Sequence, residues 1–157
     1  MATISLQEVE VVKTFHGGPP IVVNFPEGAG QSFKRGEFVK LSAGKVVLAA
    51  NTDTQFLGIA LADASGVTDT NVQVALATAD TVFAANLTTS QVTAVTDVAK
   101  SYGFTIVSAK WHLNNTVFGA NARALIVDFD GRDTIGDTQG RLHFVILSKF
   151  RQLDTTS

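Results

Sequence analysis

Histidine is the residue type most often used for acid–base catalysis and metal binding, and this sequence contains three, His16, His112 and His143. None has another histidine or a carboxylate at the spacing of a metal-ligand pair, such as i and i+4 on a helix. A lone histidine is usually a solvated or locally hydrogen-bonded imidazole. We therefore expect no reaction at these residues, and we place His143 on the polar face of a strand.

Carboxylates are concentrated in one short stretch of the chain. Four of them fall within ten residues, at Asp128, Asp130, Asp133 and Asp137. Loops that supply oxygen ligands bind hard cations such as calcium. The spacing departs from the calcium-loop pattern, because Arg132 stands where a third acidic ligand belongs and no Glu follows at the twelfth position. We predict a solvated hairpin tip whose carboxylates pair with Arg132 or Arg141, and whether it binds a cation stays open.

Two glycine-containing segments resemble catalytic loops without their partners. His16-Gly17-Gly18 is similar to the oxyanion loop of lipases, which requires a Gly-x-Ser-x-Gly elbow that this sequence lacks. Residues 28–32 lack the Lys and the following helix of a phosphate-binding loop. The absence of cysteine excludes disulfides, thiolate metal sites and cysteine nucleophiles. We predict a protein that is not an enzyme and that has no cofactor and no metal.

Composition argues against several kinds of partner. Of the 157 residues 45% are apolar and 17% charged, below the roughly 25% charge of an average domain, as fits a surface covered in an assembly. The net charge is −2 and no basic run exceeds two residues, so we expect no direct nucleic-acid partner. No apolar run approaches the length of a membrane span, and the N-terminus lacks the pattern of a signal peptide. We expect no membrane partner and synthesis in the cytoplasm without secretion.

The elements that would position any site are strands, because the dominant hydrophobic periodicity is two. Along Arg141 to Gln152, apolar residues such as Leu142 and Phe144 alternate with polar ones such as His143. Gly17-Gly18-Pro19-Pro20 and Ser42-Ala43-Gly44 are turn signals between such segments. Strands are predicted at residues 4–15, 21–25, 37–41, 45–49, 56–62, 72–76, 105–113, 122–130 and 141–152.

This pattern predicts an all-β fold, a single-domain β-barrel or sandwich with an extended N-terminal arm and at most one short helix. Thr96 would cap that helix, which would run over residues 97–102 and end at Gly103. Residues 1–15 form the N-terminal strand or arm and residues 16–157 the barrel. The weakest link in the domain 1–157 is the Thr-, Ser- and Val-rich segment 87–96.

Aromatic residues favour a packed core over a ligand site. Phe is spread over nearly every predicted strand, as a barrel interior requires. Trp111 and Tyr102 are the only other aromatic residues available to a glycan-binding surface. The Phe residues expected in the core are Phe33, Phe38, Phe56, Phe83, Phe104, Phe118, Phe129, Phe144 and Phe150.

The N-terminal segment is the predicted partner-binding element. It is strand-like and precedes the Gly-Gly-Pro-Pro breaker, so it either pairs within its own sheet or extends along the exposed sheet edge of a neighbouring subunit. The residues predicted to contact a partner are Ile4, Leu6, Glu8, Val9, Glu10, Val11 and Val12.

Several segments resemble the β-rich capsid decoration, or cement, proteins of tailed bacteriophages. Residues 33–41, with the sequence Phe-Lys-Arg-Gly-Glu-Phe-Val-Lys-Leu, carry the resemblance together with residues 44–47, 56–60 and 72–77. Residues 97–103, 124–128 and 140–144 are similar to phage structural proteins of the same sort. These segments form a loose pattern of glycine and β-branched residues.

The resemblance implies a protein that binds the outer surface of an assembled phage head and stabilises contacts between major capsid subunits. Its implied partners are the major capsid protein and further copies of itself in a homotrimer, and its implied location is the virion. The family has no catalytic residues to carry over. A phage tail, adaptor or head-fibre base protein and a carbohydrate-binding β domain are the alternatives.

Overall fold

Eleven strands form within residues 1–153, the part of the chain that the computed structural model describes. Most coincide with segments of alternating hydrophobicity. Their bounds are β1 Glu10–Thr14, β2 Val22–Pro26, β3 Phe38–Ser42, β4 Lys45–Leu48, β5 Gly58–Ala60, β6 Asn71–Leu76, β7 Thr81–Asn86, β8 Ser101–Val107, β9 Lys110–Asn114, β10 Ala124–Phe129 and β11 Arg141–Ile146.

The strands form two antiparallel sheets that pack together as a β-sandwich. One sheet has the order β1-β7-β11-β10-β8-β9 and the other the order β2-β6-β5-β3-β4. The prediction of an all-β barrel or sandwich is therefore confirmed as a sandwich, since neither sheet closes into a barrel within residues 1–153. β1 and β2, which are consecutive in the chain, lie at an edge of different sheets.

The main core fills the space between the two sheets. Its centre is Phe38 of β3, whose ring centroid lies 5.2 to 6.3 Å from five other aromatic rings. Offset and edge-to-face pairs of this kind add about 0.5–1.5 kcal/mol each beyond the area that they bury. The surrounding rings are Phe56, Phe83, Phe104, Trp111 and Phe144.

A second core lies on the opposite face of the five-stranded sheet. Because successive side chains alternate between faces, Phe38 belongs to the main core while Val39 belongs to the second. Phe33 and Leu57 are fully buried in this second core. Glu27 anchors the loops around it, because its carboxylate accepts hydrogen bonds from the backbone and hydroxyl of Ser65 and from the backbone of Gly66. The five-stranded sheet is thus buried on both faces at β5 and at the start of β3.

Two hairpins depend on left-handed backbone conformations. Ala43 and Gly44, within the predicted turn Ser42-Ala43-Gly44, have φ of 50° and 77°, as a two-residue hairpin loop between β3 and β4 requires. Ser108 and Ala109 adopt the same geometry, with φ of 51° and 61°, and divide the predicted strand 105–113 into β8 and β9. This second turn is not predicted from the sequence, because Ser108 and Ala109 are flanked by no Gly, Asn or Asp.

One further prediction about local structure is wrong, and one strand is not predicted from the sequence. The segment 97–102 is not a helix, since a 3-10 turn ends at Asp97 and β8 begins at Ser101. Pairing of β8 with β10 outweighs the weak helical preference of this segment. β7 is not predicted from the sequence, because all six of its residues are buried and the polar–apolar alternation is lost.

The chain on either side of the segment 87–96 contributes to the main core. Phe38 and Phe83 precede this segment and Phe104 and Phe144 follow it, and all four are buried together. Ladder pairing also crosses the segment, because β7 lies between β1 and β11.

Candidate assembly surface

The N-terminal segment lies along its own chain. The backbone N–H of Ile4 donates to the carbonyl of Thr138 at 2.8 Å, and that of Gln7 donates to the side chain of Asn86 at 3.0 Å. Val9 is 2% exposed and belongs to the main core. β1 then begins at Glu10 and pairs with β7.

The seven residues predicted to contact a partner therefore differ in exposure. Val9 is buried, and five others are half-buried against their own chain. Val12 is exposed, beside an irregularity in the β1–β7 register between Val11 and Lys13. The half-buried residues are Ile4, Leu6, Glu8, Glu10 and Val11.

Exposed apolar side chains flank the connection from β1 to β2 in the chain. Phe15 is 57% exposed and Ile21 is 52% exposed, and Val12 and Val22 are exposed beside them in the sequence. We call these four residues the β1–β2 edge. Both ends of the connection are fixed, since Phe15 N donates to Asp80 O at 3.0 Å and Ile21 O accepts from Leu76 N at 2.9 Å.

Backbone groups at the β1–β2 edge are also available for hydrogen bonding. Within residues 1–153, β1 pairs along its length with β7 on one side and β2 pairs with β6 on one side. The opposite side of β1 presents N–H and C=O groups that a further strand can use. The C-terminal end of β2 instead lies beside β4, where Gly28 N donates to Val46 O at 2.8 Å. The exposed side chains of Val12 and Phe15 therefore lie on, and directly after, a strand with an open edge.

The acidic segment is partly buried, contrary to the prediction of a solvated tip. Asp130 is 4% exposed and Asp137 5% exposed. The predicted pairing with Arg132 is confirmed, because its Nε and Nη2 donate to the Asp130 carboxylate at 2.9 and 2.6 Å. Arg141 Nε and His143 Nε2 each lie 3.7 Å from Asp130 Oδ2. The carboxylate of Asp130 is the centre of a buried charged cluster.

Hydrogen bonding from Arg132 holds the pKa of Asp130 well below its usual range, against the opposing effect of burial. Burial lowers the pKa of the His143 imidazole, although the nearby Asp130 carboxylate favours the charged form. Burial also lowers the pKa of Arg141. Asp130 is thus the stable anion of the cluster and His143 its neutral member.

The other three carboxylates of the segment also have protein partners. Asp128 accepts from the backbone N–H of Phe129 at 2.8 Å. Asp133 accepts from the backbone of Arg141 at 2.8 Å, and Asp137 accepts from the backbone N–H groups of Ala2 and Thr134. No group of three or more His, Cys, Asp or Glu residues within residues 1–153 is arranged to hold a metal ion.

The three histidines occupy different environments. His16 is exposed and its Nδ1 lies 3.2 Å from the Asp80 carboxylate. His143 is buried beside Asp130 and Arg141, so the polar face of β11 on which it is predicted to lie is covered by the rest of the chain. His112 is fully buried, and desolvation lowers its pKa.

Most of the aromatic residues are core residues, as predicted. Trp111 is fully buried and Tyr102 is 4% exposed with its hydroxyl donating to Asp97, so neither presents a face to a glycan. Phe118 differs, because it is 68% exposed and its predicted place in the core is wrong. Phe129 is half-buried against the core.

No protein-family model, curated protein or solved structure matches this chain. Among residues 1–153, no helix has the length and hydropathy needed to cross a membrane.

Proposed function

We propose that this chain is a structural protein of a tailed-bacteriophage particle, a decoration protein that binds the outer surface of the assembled head. Its partners are the major capsid protein and other copies of itself, in a homotrimer. The observation that carries the proposal is the β1–β2 edge, where four apolar side chains are exposed and the edge of β1 away from β7 is open. The resemblance of residues 33–41 and the related segments to decoration proteins supports the same role.

A protein that stabilises contacts between capsid subunits must transmit force without deforming. The β1–β2 edge is joined directly to the core, because β1 pairs with β7, a strand whose residues are all buried. Tight packing gives protein interiors low compressibility. Load applied at Phe15 or Val12 therefore passes into the main core through ladder hydrogen bonds.

Burial of the β1–β2 edge against a neighbour would supply binding energy. Fully burying one large apolar side chain is worth about 1.5–3 kcal/mol, and every 1.4 kcal/mol or so changes an affinity tenfold. Phe15 and Ile21 are each about half exposed in the free chain, so each has roughly half of that burial still to gain. Strand addition along β1 would add backbone hydrogen bonds.

The test is attachment of purified protein to heads assembled from the major capsid protein encoded with it. Phe15→Asp and Ile21→Asp place a charge at the β1–β2 edge without touching the core, and each is expected to weaken attachment by about tenfold or more. Val67→Asp is the matched control, because Val67 is 63% exposed and lies in the loop before β6. Co-sedimentation with heads measures attachment. Equal attachment of all three variants and the parent chain would contradict the role of this edge.

Copy number in purified particles separates a decoration protein from a tail, adaptor or head-fibre base protein. A protein that covers the head surface is expected in hundreds of copies, roughly in proportion to the major capsid protein, and a tail-end component in a handful. Quantitative mass spectrometry of intact particles gives this ratio. A handful of copies per particle would exclude decoration of the head.

A further inference from the structure

A cavity of about 680 Å³ opens beside the start of β8, at the opposite end of the six-stranded sheet from β1. Its volume lies within the roughly 300–1,000 Å³ typical of small-molecule sites. Two chain segments form it, residues 92–102 on one side and residues 115–119 on the other.

Hydrogen bonds fix both walls of this cavity. The side chain of Gln91 joins them, since its Oε1 accepts from Asn115 N at 2.9 Å and its Nε2 donates to Asn114 Oδ1 at 2.8 Å. The second wall is held against β8 by the bond from Gly103 N to Val117 O at 2.7 Å. A Cβ on Gly103 would lie 2.3 Å from the Val117 side chain, so glycine permits this close approach.

The floor is a buried polar pair. The Tyr102 hydroxyl donates to the Asp97 carboxylate, and the other oxygen of Asp97 accepts from Ala94 N at 2.7 Å. Both residues are 4% exposed. This pairing fixes the position of the 3-10 turn at Val95–Asp97, so the cavity is shaped before any ligand arrives.

Several polar side chains on the walls of the cavity have hydrogen-bonding groups that no other residue uses. Within residues 1–153, the side chains of Thr96, Lys100, Ser101 and Asn115 make no hydrogen bond to another residue, and the ammonium of Lys100 has no carboxylate within ion-pair distance. Phe118 adds an apolar ring that is 68% exposed at the same cavity. Hydroxyls, an amide and a cation thus surround an accessible aromatic surface.

We propose that this cavity binds an acidic saccharide, with a sugar ring against Phe118, its hydroxyls on Thr96, Ser101 and Asn115, and its carboxylate on Lys100. A sugar ring has an apolar C–H face and a hydroxylated rim, and these match an aromatic ring flanked by donors and acceptors. A carboxylate gains a charge-assisted hydrogen bond from the ammonium. Saccharide binding here is independent of attachment through the β1–β2 edge, because β8 and β1 are separated by three strands.

The test is titration of the ¹⁵N-labelled chain with glucuronic acid and, separately, with glucose, followed by amide chemical shifts. Glucuronic acid is expected to give saturable shifts confined to residues 92–102 and 115–119, with weaker binding of glucose. Phe118→Ala is expected to weaken glucuronic acid binding by about tenfold. Lys100→Gln is expected to weaken glucuronic acid binding and to leave glucose binding unchanged.

Val67→Ala is the matched control, since Val67 is an exposed apolar residue outside the cavity, and it is expected to bind as the parent chain does. Thermal unfolding confirms that each variant is folded. The proposal is overturned if neither sugar produces saturable shifts, or if Phe118→Ala binds as tightly as Val67→Ala. Equal affinity for the two sugars would overturn the assignment of an acidic ligand.

Discussion

Replacement of Asp130 by Ala should destabilise the fold more than any other single charge removal in the acidic segment. Asp130 is 4% exposed, and its carboxylate lies between Arg132 and Arg141. Arg132 is 60% exposed at its side chain and returns to water when the carboxylate is lost, so that pair contributes less than about 1 kcal/mol. Arg141 is 2% exposed, so its guanidinium stays buried when the carboxylate is lost.

The magnitude follows from the position of Arg141. Breaking a buried pair by removing one partner typically costs about 3–5 kcal/mol. Arg141 keeps hydrogen bonds to Asn86 and Ala84 and an ion pair with Glu10 at 3.8 Å, which places the cost near the lower end, at about 3 kcal/mol. For a domain of this size that is a decrease in Tm of about 6–12 °C.

The assay is urea unfolding followed by fluorescence, because the sequence has a single tryptophan, Trp111, and it is fully buried. Asp128→Ala is the matched control: Asp128 is 58% exposed at its side chain and lies 3.8 Å from Lys13, so its loss should cost under about 1 kcal/mol. Asp130→Asn keeps the shape of the side chain and serves if Asp130→Ala does not fold. Equal losses for Asp128→Ala and both Asp130 variants would refute the reasoning.

The contribution of Asp130 to the free energy of unfolding should also depend on pH. Because the pKa of Asp130 is depressed in the folded chain, its stabilisation is fully present above the unfolded value of about 3.9 and is lost as the pH falls through the folded pKa. The difference in unfolding free energy between the parent chain and Asp130→Asn is therefore expected to be constant near neutral pH and to narrow below about pH 4. A difference in unfolding free energy that widens in acid would contradict a lowered pKa of Asp130 in the folded chain.

Two further substitutions test the five-stranded sheet. Glu27→Gln is expected to lower the unfolding free energy by about 1.5–3 kcal/mol at neutral pH, since the Glu27 carboxylate accepts three hydrogen bonds from the loop before β6. Those bonds also hold the pKa of Glu27 below its usual value although burial acts to raise it, so the difference between the two proteins should shrink in acid. Gly58→Ala should cost about 3 kcal/mol, because an added Cβ would lie 1.9 Å from the carbonyl oxygen of Ala75. Gly131→Ala, where a Cβ meets nothing within 4 Å, is the control, and urea unfolding measures all three; a Gly58→Ala protein as stable as Gly131→Ala would show that β5 and β6 can move apart.

Most strands could be predicted because they are half-buried or bounded by turn residues. Residues 45–49 and 72–76 show this, and the observed β4 and β6 lie within one residue of the predicted ends. β7 could not be found in this way, since burial on both faces removes the alternation on which the prediction depends. The turn at Ser108 and Ala109 was missed for a different reason: neither residue type favours the left-handed backbone that the hairpin imposes.

The candidate sites depended still more on tertiary structure. The segment 4–12 is strand-like in sequence, yet Val9 enters the core while Phe15 and Ile21, beside the Gly-Gly-Pro-Pro breaker, are exposed. Apolar residues that flank such a breaker were the available signal for the β1–β2 edge. No comparable sequence signal exists for the cavity, because residues 92–102 and 115–119 are brought together by the pairing of β8 with β9, the bond from Gly103 N to Val117 O and the bridging side chain of Gln91.

The sequence by itself determined the all-β class, the approximate position of most strands and the β3–β4 hairpin. These features depend on local periodicity and on residues with particular backbone preferences. Only the tertiary structure decided that Asp130, Arg141 and His143 are buried together and that Phe118 is exposed. Burial depends on what packs against a residue from distant parts of the chain, and alternation along one strand does not specify which of its faces is covered.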